Sequence, residues 1–338
     1  MKVLFERSKE HSALSLAELL ACLDVEIKTY TMLDQNEDVL LIETKSNEQN
    51  LGVLAGRLAF TFVIDELLFS CPAALTALIE QAARNPVLQE GTIAIRCKNR
   101  GSSLDSAQVI DCLGDVYTKQ RVVDLAHPAV EVRAVITANT TYVGVKKEEI
   151  NTSHFQQRRG HLRPFLSPVT MHPKIARALV NLACLKKNDV VLDPFCGTGG
   201  ILIEAGLIGM RIIGSDVEQK MIEGCRSNLR FYQLKDYALY RTDIGDIVKH
   251  VSSVDAVVTD FPYAKATTTR GEEPRLLYDR GFAVISRVLR RDGRAVVGLA
   301  NEEMISLGEK HMKLLNVYPI RAHRSLTRFF AVYQKKSC

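Results

Sequence analysis

The sequence predicts an α/β protein whose C-terminal half forms a doubly wound, mostly parallel sheet, preceded by an N-terminal half of the α+β type. From about residue 173 onward, short apolar runs alternate with helical stretches, which is the pattern of such a sheet. Several of these runs end in an acidic residue, and one is followed by the glycine-rich turn CGTGG. The N-terminal half mixes strands and helices and has no glycine-rich turn of this kind.

Length and composition restrict the class of protein. At about 150 residues per domain, the 338 residues correspond to two domains with room for a small additional piece. The chain is 46% hydrophobic and 25% charged, values typical of globular proteins. No apolar run approaches the ~20 residues that span a bilayer, and the charged N-terminus MKVLFERSKEHS does not resemble a signal peptide. Eight cysteines without a CxxC pair predict no metal site and no disulfide framework, so we expect a cytoplasmic protein.

The C-terminal half is predicted element by element from its apolar runs. A helix is expected from Pro173, because proline is favoured in the first helical turn. Predicted strands are VVLDPF (190–195), RIIGSDV (211–217), YALYRTD (237–243), SVDAVVTDFPY (253–263), GRAVVGLA (293–300), LLNVYPIRAH (314–323) and LTRFFAVYQK (326–335). Helical patterning lies between them at 201–209, 218–234 and 275–290.

The N-terminal half is predicted in the same way. Strands MKVLFE, VEIKTY and DVLLIETK accompany a helix around Ser12–Cys22. Helical segments near 51–59, 72–84 and 104–116 then alternate with strand segments at 92–99 and 129–146. The following stretch, 148–167, is polar and basic with little periodicity, and is predicted to be a linker.

The predicted strands of the C-terminal half carry acids where they end. These acids are Asp193, Asp216, Asp243 and Asp260. Ligands of doubly wound sheets bind beyond the carboxyl ends of the strands, so we expect the four carboxylates to converge on one crevice. Any one of them alone is equally explained as the cap of a following helix, but the ordered series favours a common ligand site.

The glycine-rich turn and the first three acids together describe a ligand. Gly197, Gly199 and Gly200 remove the Cβ atoms that would keep a ligand from the backbone. Such a turn also suits a dinucleotide, but the GxGG spacing and the acid at 193 disfavour a diphosphate and favour a cation. Asp216 is placed to accept ribose hydroxyls, and Asp243 to accept an adenine amine. These features predict S-adenosylmethionine.

A second motif, TDFPYAKATTT (259–269), follows the fourth strand. The exocyclic amine of a nucleobase is a poor nucleophile and must be held with its lone pair toward the methyl group. Asp260 and the carbonyl of Phe261 are suited to accept the two amine hydrogens, Pro262 stiffens the turn, and Tyr263 offers a ring for stacking on the base. The alternative is an ordinary proline turn after a strand.

DPFCGTGG and DFPY resemble the class I S-adenosylmethionine-dependent amino-methyltransferases, whose loop reads Asp/Asn-Pro-Pro-Tyr/Phe; here Phe261 replaces the first proline. Residues 95–101, 111–117 and 122–145 resemble a THUMP domain, a module that holds the 3′ acceptor end of tRNA. Together with the linker, the whole chain is similar to the archaeal tRNA (guanine10-N2)-methyltransferase family.

This resemblance implies a domain plan and a set of site residues. The implied plan is a ferredoxin-like piece (1–52), a THUMP domain (53–147), a linker (148–167) and a Rossmann-fold methyltransferase domain with a seven-stranded sheet (168–338). Implied cofactor contacts are Asp193, Pro194, Cys196, Gly197, Thr198, Gly199, Asp216, Val217, Asp243 and Ile244, with Asp260 to Tyr263 as the catalytic loop. Thr267 and Thr268 are expected to contact the substrate nucleoside.

The basic residues give weaker predictions. The net charge of +5 permits a polyanionic partner without requiring one. For tRNA phosphate we expect Arg96, Lys98, Arg159 and Arg163, although such side chains are also common on solvated surfaces. A second basic cluster, which suits either a solvated face or a phosphate-binding surface, comprises Lys313, Arg321, Arg324, Arg328, Lys335 and Lys336.

The predicted function is methyl transfer from S-adenosylmethionine to the N2 amine of guanosine 10 in tRNA, once or twice on the same amine. Alternatives with the same chemistry are guanosine 6 of tRNA and an rRNA guanine. A DNA amino-methyltransferase and a catalytically silent RNA-binding subunit are alternatives of other classes. We expect a monomer, with or without a small activator protein of the kind some relatives recruit.

Overall fold

The computed structural model describes residues 1–166, 170–262, 273–323 and 326–336. Tyr263, Thr267 and Thr268 therefore lie outside the described residues. The chain forms two compact units. The first comprises Met1–Leu16, Glu26–Gly56 and Phe60–Asn151, and the second comprises Ala17–Val25, Arg57–Ala59 and Thr152–Cys338. Two short N-terminal segments thus belong to the second unit, whereas the limits of the four predicted domains stay a prediction.

The elements up to residue 149 alternate irregularly between strands and helices. In chain order they are β1 (Lys2–Arg7), α1 (Ser12–Glu26), β2 (Tyr30–Gln35), β3 (Val39–Thr44), α2 (Glu48–Arg57), β4 (Thr61–Pro72), α3 (Leu75–Arg84), β5 (Ile93–Asn99), α4 (Ser106–Tyr117), β6 (Val130–Ile136) and β7 (Thr140–Glu149). Their strands form one seven-stranded sheet in the order β2-β3-β1-β4-β7-β6-β5. The α+β pattern predicted for this half is confirmed.

Strand β4 was not predicted, yet it joins the sheet at its centre by pairing antiparallel with β1 and β7. Its sequence, TFVIDELLFSCP, does not alternate cleanly, because Asp65 is fully buried where an apolar residue is expected. Arg133 explains this exception: its guanidinium lies 2.7 Å from the Asp65 carboxylate. A buried charge is tolerated when it is paired, so a residue distant in sequence compensates the buried carboxylate of this strand.

The elements after residue 152 give the regular alternation that was predicted. In chain order they are α5 (Ser153–Gln157), α6 (Pro173–Leu182), β8 (Val190–Asp193), α7 (Gly200–Leu207), β9 (Arg211–Asp216), α8 (Gln219–Phe231), β10 (Tyr237–Arg241), β11 (Val254–Asp260), α9 (Pro274–Val288), β12 (Leu289–Leu299), α10 (Ile305–His311), β13 (Met312–His323) and β14 (Leu326–Lys335). Short 3-10 helices lie at Gly160–Leu162, Ile244–Lys249 and Glu302–Met304.

These strands form a second seven-stranded sheet in the order β10-β9-β8-β11-β12-β14-β13. The first five pair in parallel, and β14 pairs antiparallel with both β12 and β13. The doubly wound, mostly parallel seven-stranded sheet is thereby confirmed. One core of this unit contains the buried rings of Phe261, Tyr278, Phe282 and Tyr333.

The predicted linker contains more structure than its sequence indicates. Helix α5 lies within it, and Phe155 of this helix is buried. The Arg158 and Arg177 guanidinium groups lie 4.8 Å and 5.6 Å from the Phe155 ring centre. Across the described ranges, no helix is both long and apolar enough to cross a membrane.

Candidate active site

Four acids lie at one edge of the second sheet. β9, β8 and β11 are adjacent and end at Asp216, Asp193 and Asp260, and Asp243 follows the end of neighbouring β10 by two residues. Because parallel strands point the same way, all four carboxylates lie at the carboxyl edge, where ligands of such sheets bind. The structure therefore brings these predicted residues together, while their individual roles stay predictions.

Asp193 is an almost fully buried carboxylate at the end of the central strand β8. Its Oδ1 accepts hydrogen bonds from the Thr259 hydroxyl at 2.6 Å and from the Phe195 backbone N–H at 3.2 Å. Burial raises the pKa of Asp193 to about 7, and the neighbouring carboxylate of Asp216 adds to the increase. A cationic ligand would stabilise the charged form of this group.

The glycine-rich turn follows β8 and leads into α7. Gly197 and Gly199 have φ values of +48° and +85°, in the region where glycine has no steric penalty. A Cβ at Gly199 would lie 2.7 Å from the Cys225 sulfur, so glycine is required there by packing as well. A Cβ at Gly197 would meet no atom within 4 Å, and this leaves open space beside the turn. Of the other predicted contacts in this turn, Cys196 and Thr198 are buried and Pro194 accepts a hydrogen bond from Ser215.

Asp216 ties the end of β9 to the glycine-rich turn. Its Oδ2 accepts from the Gly197 backbone N–H at 3.1 Å, and its Oδ1 accepts from the Glu218 N–H at 2.9 Å. Burial raises the pKa of Asp216 despite these hydrogen bonds. The next residue, Val217, lies between the strand and α8. This position is the one in which a carboxylate of a doubly wound sheet accepts ribose hydroxyls.

Asp243 begins the 3-10 helix in which Ile244 is buried. Its Oδ1 accepts from the Gly245 backbone N–H at 2.8 Å, and its carboxylate forms an ion pair with Arg280. Burial alone would raise the pKa of Asp243, but the hydrogen bonds from Arg280 and Gly245 lower it on balance. Asp243 is therefore held ionised, and 41% of its side chain is exposed.

This set of groups fits S-adenosylmethionine. The space beside Gly197 is open because glycine has no Cβ, and a side chain at this position would occupy it. Asp193 offers a buried negative charge for a cation, and Asp216 and Asp243 offer acceptors for hydroxyls and an amine. The three carboxylates are acceptors, which suits a ligand rich in donors and positive charge.

Asp260 ends β11 beside this crevice, with 22% of its side chain exposed. Burial raises the pKa of Asp260 well above its ordinary value, and the charge of Asp193 adds to the increase. The Arg328 guanidinium forms an ion pair with Asp260, and a cation beside a carboxylate favours its charged form. The sequence does not indicate this partner, because Arg328 is far away in the chain and belongs to a basic cluster that suits a solvated face or a phosphate-binding surface.

Phe261 and Pro262 follow Asp260. The Phe261 ring is completely buried against Phe195, Tyr278 and Phe282, at centroid distances of 4.9, 4.5 and 5.2 Å. It is therefore part of the core and is not available for stacking on a base. The Pro262 carbonyl accepts a hydrogen bond from the Tyr278 hydroxyl at 3.1 Å, which anchors the start of the predicted catalytic loop to α9.

Asn228, a second residue that sequence reasoning missed, connects the linker to the glycine-rich turn. It is fully buried on α8, and its amide donates to the carbonyls of Thr198 at 3.0 Å and Phe165 at 3.1 Å. Its Oδ1 accepts from the Phe165 backbone N–H at 2.9 Å. No sequence motif marks this residue, since it lies in the middle of an ordinary amphipathic helix.

The predicted phosphate contacts differ in exposure. Arg163 is almost fully buried, its Nε donates to the Arg158 carbonyl, and its Nη1 lies 3.4 Å from the place of a Cβ on Gly200. Arg159 is exposed and, with His161 and His172, lines a cavity of about 490 Å³. Arg96 and Lys98 are both exposed and lie two residues apart on edge strand β5, hence on the same face. Their contacts with tRNA stay predictions.

Comparison with protein families agrees with this site. The UPF0020 family, described as an RMKL-like methyltransferase domain, matches residues 160–328, and the THUMP domain matches residues 73–146. TrmN from Thermus thermophilus, a solved structure, shares the fold with a TM-score of 0.59 and 19% identity, covering 99% of this chain and 100% of that one. Fold and site thus define a Rossmann-like, S-adenosylmethionine-dependent methyltransferase that carries a THUMP domain.

Two curated relatives are both named tRNA (guanine(10)-N2)-dimethyltransferase. The protein of Methanothermobacter thermautotrophicus is 32% identical over 339 residues, covering 99% of this chain and 100% of the relative. The protein of Methanocaldococcus jannaschii is 37% identical over 242 residues, covering 69% of this chain and 66% of the relative. The chain belongs to the tRNA (guanine(10)-N2)-dimethyltransferase family, and the resemblance found in its sequence is confirmed.

Proposed function

We propose that this protein transfers methyl groups from S-adenosylmethionine to the N2 amine of guanosine 10 in tRNA. The observation that carries the proposal is the position of Asp260, which ends β11 next to the acid-lined crevice between Asp193 and Asp216. Family membership over nearly the whole chain selects the tRNA substrate among the nucleic acids that such a site suits.

S-adenosylmethionine, when bound, supplies an electrophilic methyl group on a positively charged sulfur. The protein's own contribution is to place the amine. An ionised Asp260 accepts one amine hydrogen and orients the lone pair toward the methyl group, and the backbone carbonyl of Phe261 is our candidate acceptor for the other hydrogen. The Pro262 carbonyl accepts a hydrogen bond from Tyr278, so the backbone directly after Phe261 is anchored to α9.

The two parts of the chain are proposed to divide the work. The THUMP region (73–146) includes β5, whose exposed Arg96 and Lys98 are candidate contacts for the acceptor end of tRNA. Arg159 beside the 490 Å³ cavity is a candidate phosphate contact near the methyltransferase domain. Thr267 and Thr268 remain candidates for contact with the nucleoside. Contacts with phosphates make affinity depend on salt, so tRNA binding should weaken steeply as the salt concentration rises.

We further propose a monomer that functions in the reducing cytoplasm. The seven cysteines among the described residues are free thiols, which suits a reducing compartment. A small activator protein is a separate hypothesis, to be tested by asking whether the purified chain alone is active.

The proposed function is tested by incubating the purified protein with labelled S-adenosylmethionine and unmodified tRNA transcripts and mapping the modified nucleotide. We expect label at guanosine 10, with mass spectrometry detecting first one and then two methyl groups on N2. A transcript with adenosine at position 10 is the matched substrate control. Label at guanosine 6, in rRNA or in duplex DNA would replace this proposal with the corresponding alternative, and absence of label in any RNA would favour a silent RNA-binding subunit.

A further inference from the structure

Arg328 meets Asp260 across an intervening strand. β12 lies between β11 and β14 in the sheet, with Asp260 in register with Gly298 and Gly298 in register with Phe330. The Arg328 guanidinium nevertheless forms an ion pair with Oδ1 of Asp260. Two charged groups on strands that are not hydrogen-bonded to each other therefore meet over the backbone of the strand between them.

Gly298 is what makes this meeting possible. A Cβ built at this residue would overlap Oδ1 of Asp260 and would lie 3.2 Å from Nη2 of Arg328 and 3.1 Å from the Phe330 ring. No other amino acid leaves the space that the ion pair occupies. The backbone of β12 has no unusual φ at this residue that would by itself call for glycine.

The Arg328 side chain is also buried and packed against an aromatic ring, which restricts its position beside Asp260. It is 10% exposed, and its guanidinium lies 5.5 Å from the centre of the Phe330 ring. Burial lowers the pKa of Arg328 to about 10, so the group remains charged at neutral pH. Arg328 is therefore buried and does not belong to a solvated basic surface, although it stands in a basic cluster of the sequence.

The charges around Asp260 show what this arginine contributes. In the described part of the chain, β8 presents Asp193, α9 presents Tyr278, β14 presents Arg328, and β12 presents the uncharged Gly298. Burial and Asp193 both favour a protonated Asp260. A protonated carboxyl is a poorer acceptor and can itself donate, which is the opposite of what an amine substrate needs.

We propose that Arg328 is a positioning residue for methyl transfer, whose ion pair with Asp260 favours the ionised form of this carboxyl group, so that the carboxylate accepts a hydrogen of the substrate amine. This inference rests on the proposed function, because it assigns Asp260 to the amine. In this proposal Arg328 acts through Asp260 and not on the reacting atoms themselves. Gly298 completes the arrangement as the residue that permits the contact.

The test compares Arg328→Met and Arg328→Lys with Arg287→Met, which removes an exposed arginine of α9. For each full-length protein, kcat and KM for tRNA are measured from about pH 6 to about pH 9. We expect Arg328→Met to lower kcat about 10²-fold at neutral pH, the size of effect typical of lost proton-handling groups. KM for tRNA and the affinity for S-adenosylmethionine should change little, and Arg287→Met should behave as wild type.

The decisive readout is the acidic limb of the kcat profile. Without the guanidinium, the pKa of Asp260 rises further, so the limb should move to higher pH and activity should partly return as the pH is raised. Arg328→Lys should keep the limb near its wild-type position. Gly298→Ala, which displaces the pair without removing a charge, should move the limb in the same direction as Arg328→Met.

A uniform loss of kcat at every pH, or a raised KM for tRNA with an unchanged pH profile, would overturn the proposal in favour of a structural or phosphate-binding role. Thermal unfolding of each variant shows whether the fold is retained. If Arg328→Met does not fold, Arg328→Lys and Gly298→Ala decide the question. The wild type separates the two possible failures. If the proposed function is wrong, the wild type leaves guanosine 10 of tRNA unmethylated at all pH values. If only this inference is wrong, the wild type still methylates guanosine 10.

Discussion

The ring of Phe261 lies 4.9 Å from the ring of Phe195, so the residue after Asp260 packs directly against the residue two positions after Asp193. The cofactor turn and the predicted catalytic loop are thus joined by an aromatic contact in the core. Phe261 also donates its backbone N–H to the Gly298 carbonyl at 3.1 Å. These contacts explain how the loop tolerates phenylalanine where related amino-methyltransferases have proline.

Replacing Phe261 by the proline of the related motif should therefore destabilise the protein. Phe261→Pro empties a fully buried site and removes the N–H that Gly298 accepts, so we expect the free energy of unfolding to fall by about 3–5 kcal/mol. Phe261→Leu, which keeps the N–H and most of the volume, should lose less. Urea unfolding of the three proteins checks this, and a Phe261→Pro protein as stable as wild type would show that the ring contributes no packing energy.

Asp260→Asn should abolish catalysis without preventing binding. The amide keeps the size of the side chain but cannot hold a negative charge toward the amine, so we expect kcat to fall by at least about 10²-fold. Binding of tRNA and of S-adenosylmethionine should stay within about threefold, well under 1 kcal/mol. Single-turnover methylation and filter binding measure the two effects. Asp236→Asn, at an exposed acid, is the control, and activity of Asp260→Asn close to that of the control would remove Asp260 from the mechanism.

Cofactor affinity should depend on pH through Asp193. Its pKa in the free protein is about 7, so below that value the carboxyl is mostly neutral and must lose its proton to hold a cation. We expect the Kd for S-adenosylmethionine to rise up to about tenfold for each pH unit below 7, and to level off above it. Calorimetric titrations from pH 5.5 to 8.5 measure this dependence, and Asp193→Asn should bind weakly with little pH dependence. A constant Kd in wild type would contradict the assignment of Asp193 to the cationic part of the ligand.

The same carboxyl should make the ligand-free protein less stable as the pH rises. Because the folded-state pKa of Asp193 is raised, the folded protein binds this proton more tightly than the unfolded chain between the ordinary value of 3.8 and about 7. The contribution of Asp193 to stability therefore falls with increasing pH across this window. Asp193→Asn should remove the penalty and raise Tm at pH 8 by about 2–4 °C for each kcal/mol gained. A lower Tm for the variant at pH 8 would show that the hydrogen bonds from Thr259 and Phe195 outweigh the cost of burying the charge.

Asn228→Asp should loosen the glycine-rich turn. Aspartate cannot donate to the Thr198 and Phe165 carbonyls, and it places a charge in a fully buried site. We expect a loss of about 1–3 kcal/mol in stability, together with weaker binding of S-adenosylmethionine. Asn47→Asp, at an exposed residue whose Oδ1 accepts from the Asn50 N–H, is the matched control. If Asn228→Asp is less stable but binds S-adenosylmethionine as tightly as wild type, the contacts of Asn228 do not contribute to cofactor binding.

Local patterns were sufficient for the second sheet. Its strands are short apolar runs bounded by turns, and the acids at 193, 216 and 260 could be placed because a parallel strand ends where its apolar run ends. The glycines of the turn were recognisable for the same reason, since a positive φ requires that residue type. Helix α10 and strand β4 are not indicated by local patterns; in β4 the buried Asp65 interrupts the apolar pattern, and its partner Arg133 is distant in the chain.

The sequence by itself determined the order of the strands' acids, the glycine-rich turn between β8 and α7, and the family to which the chain belongs. Only the tertiary structure decided which cations are surface groups and which are buried: Arg328 lies against Asp260, and Arg158 and Arg177 are paired with Glu204. The physical reason is that a strand or a turn depends on neighbouring residues, whereas the environment of a charge depends on partners that folding brings from elsewhere in the chain.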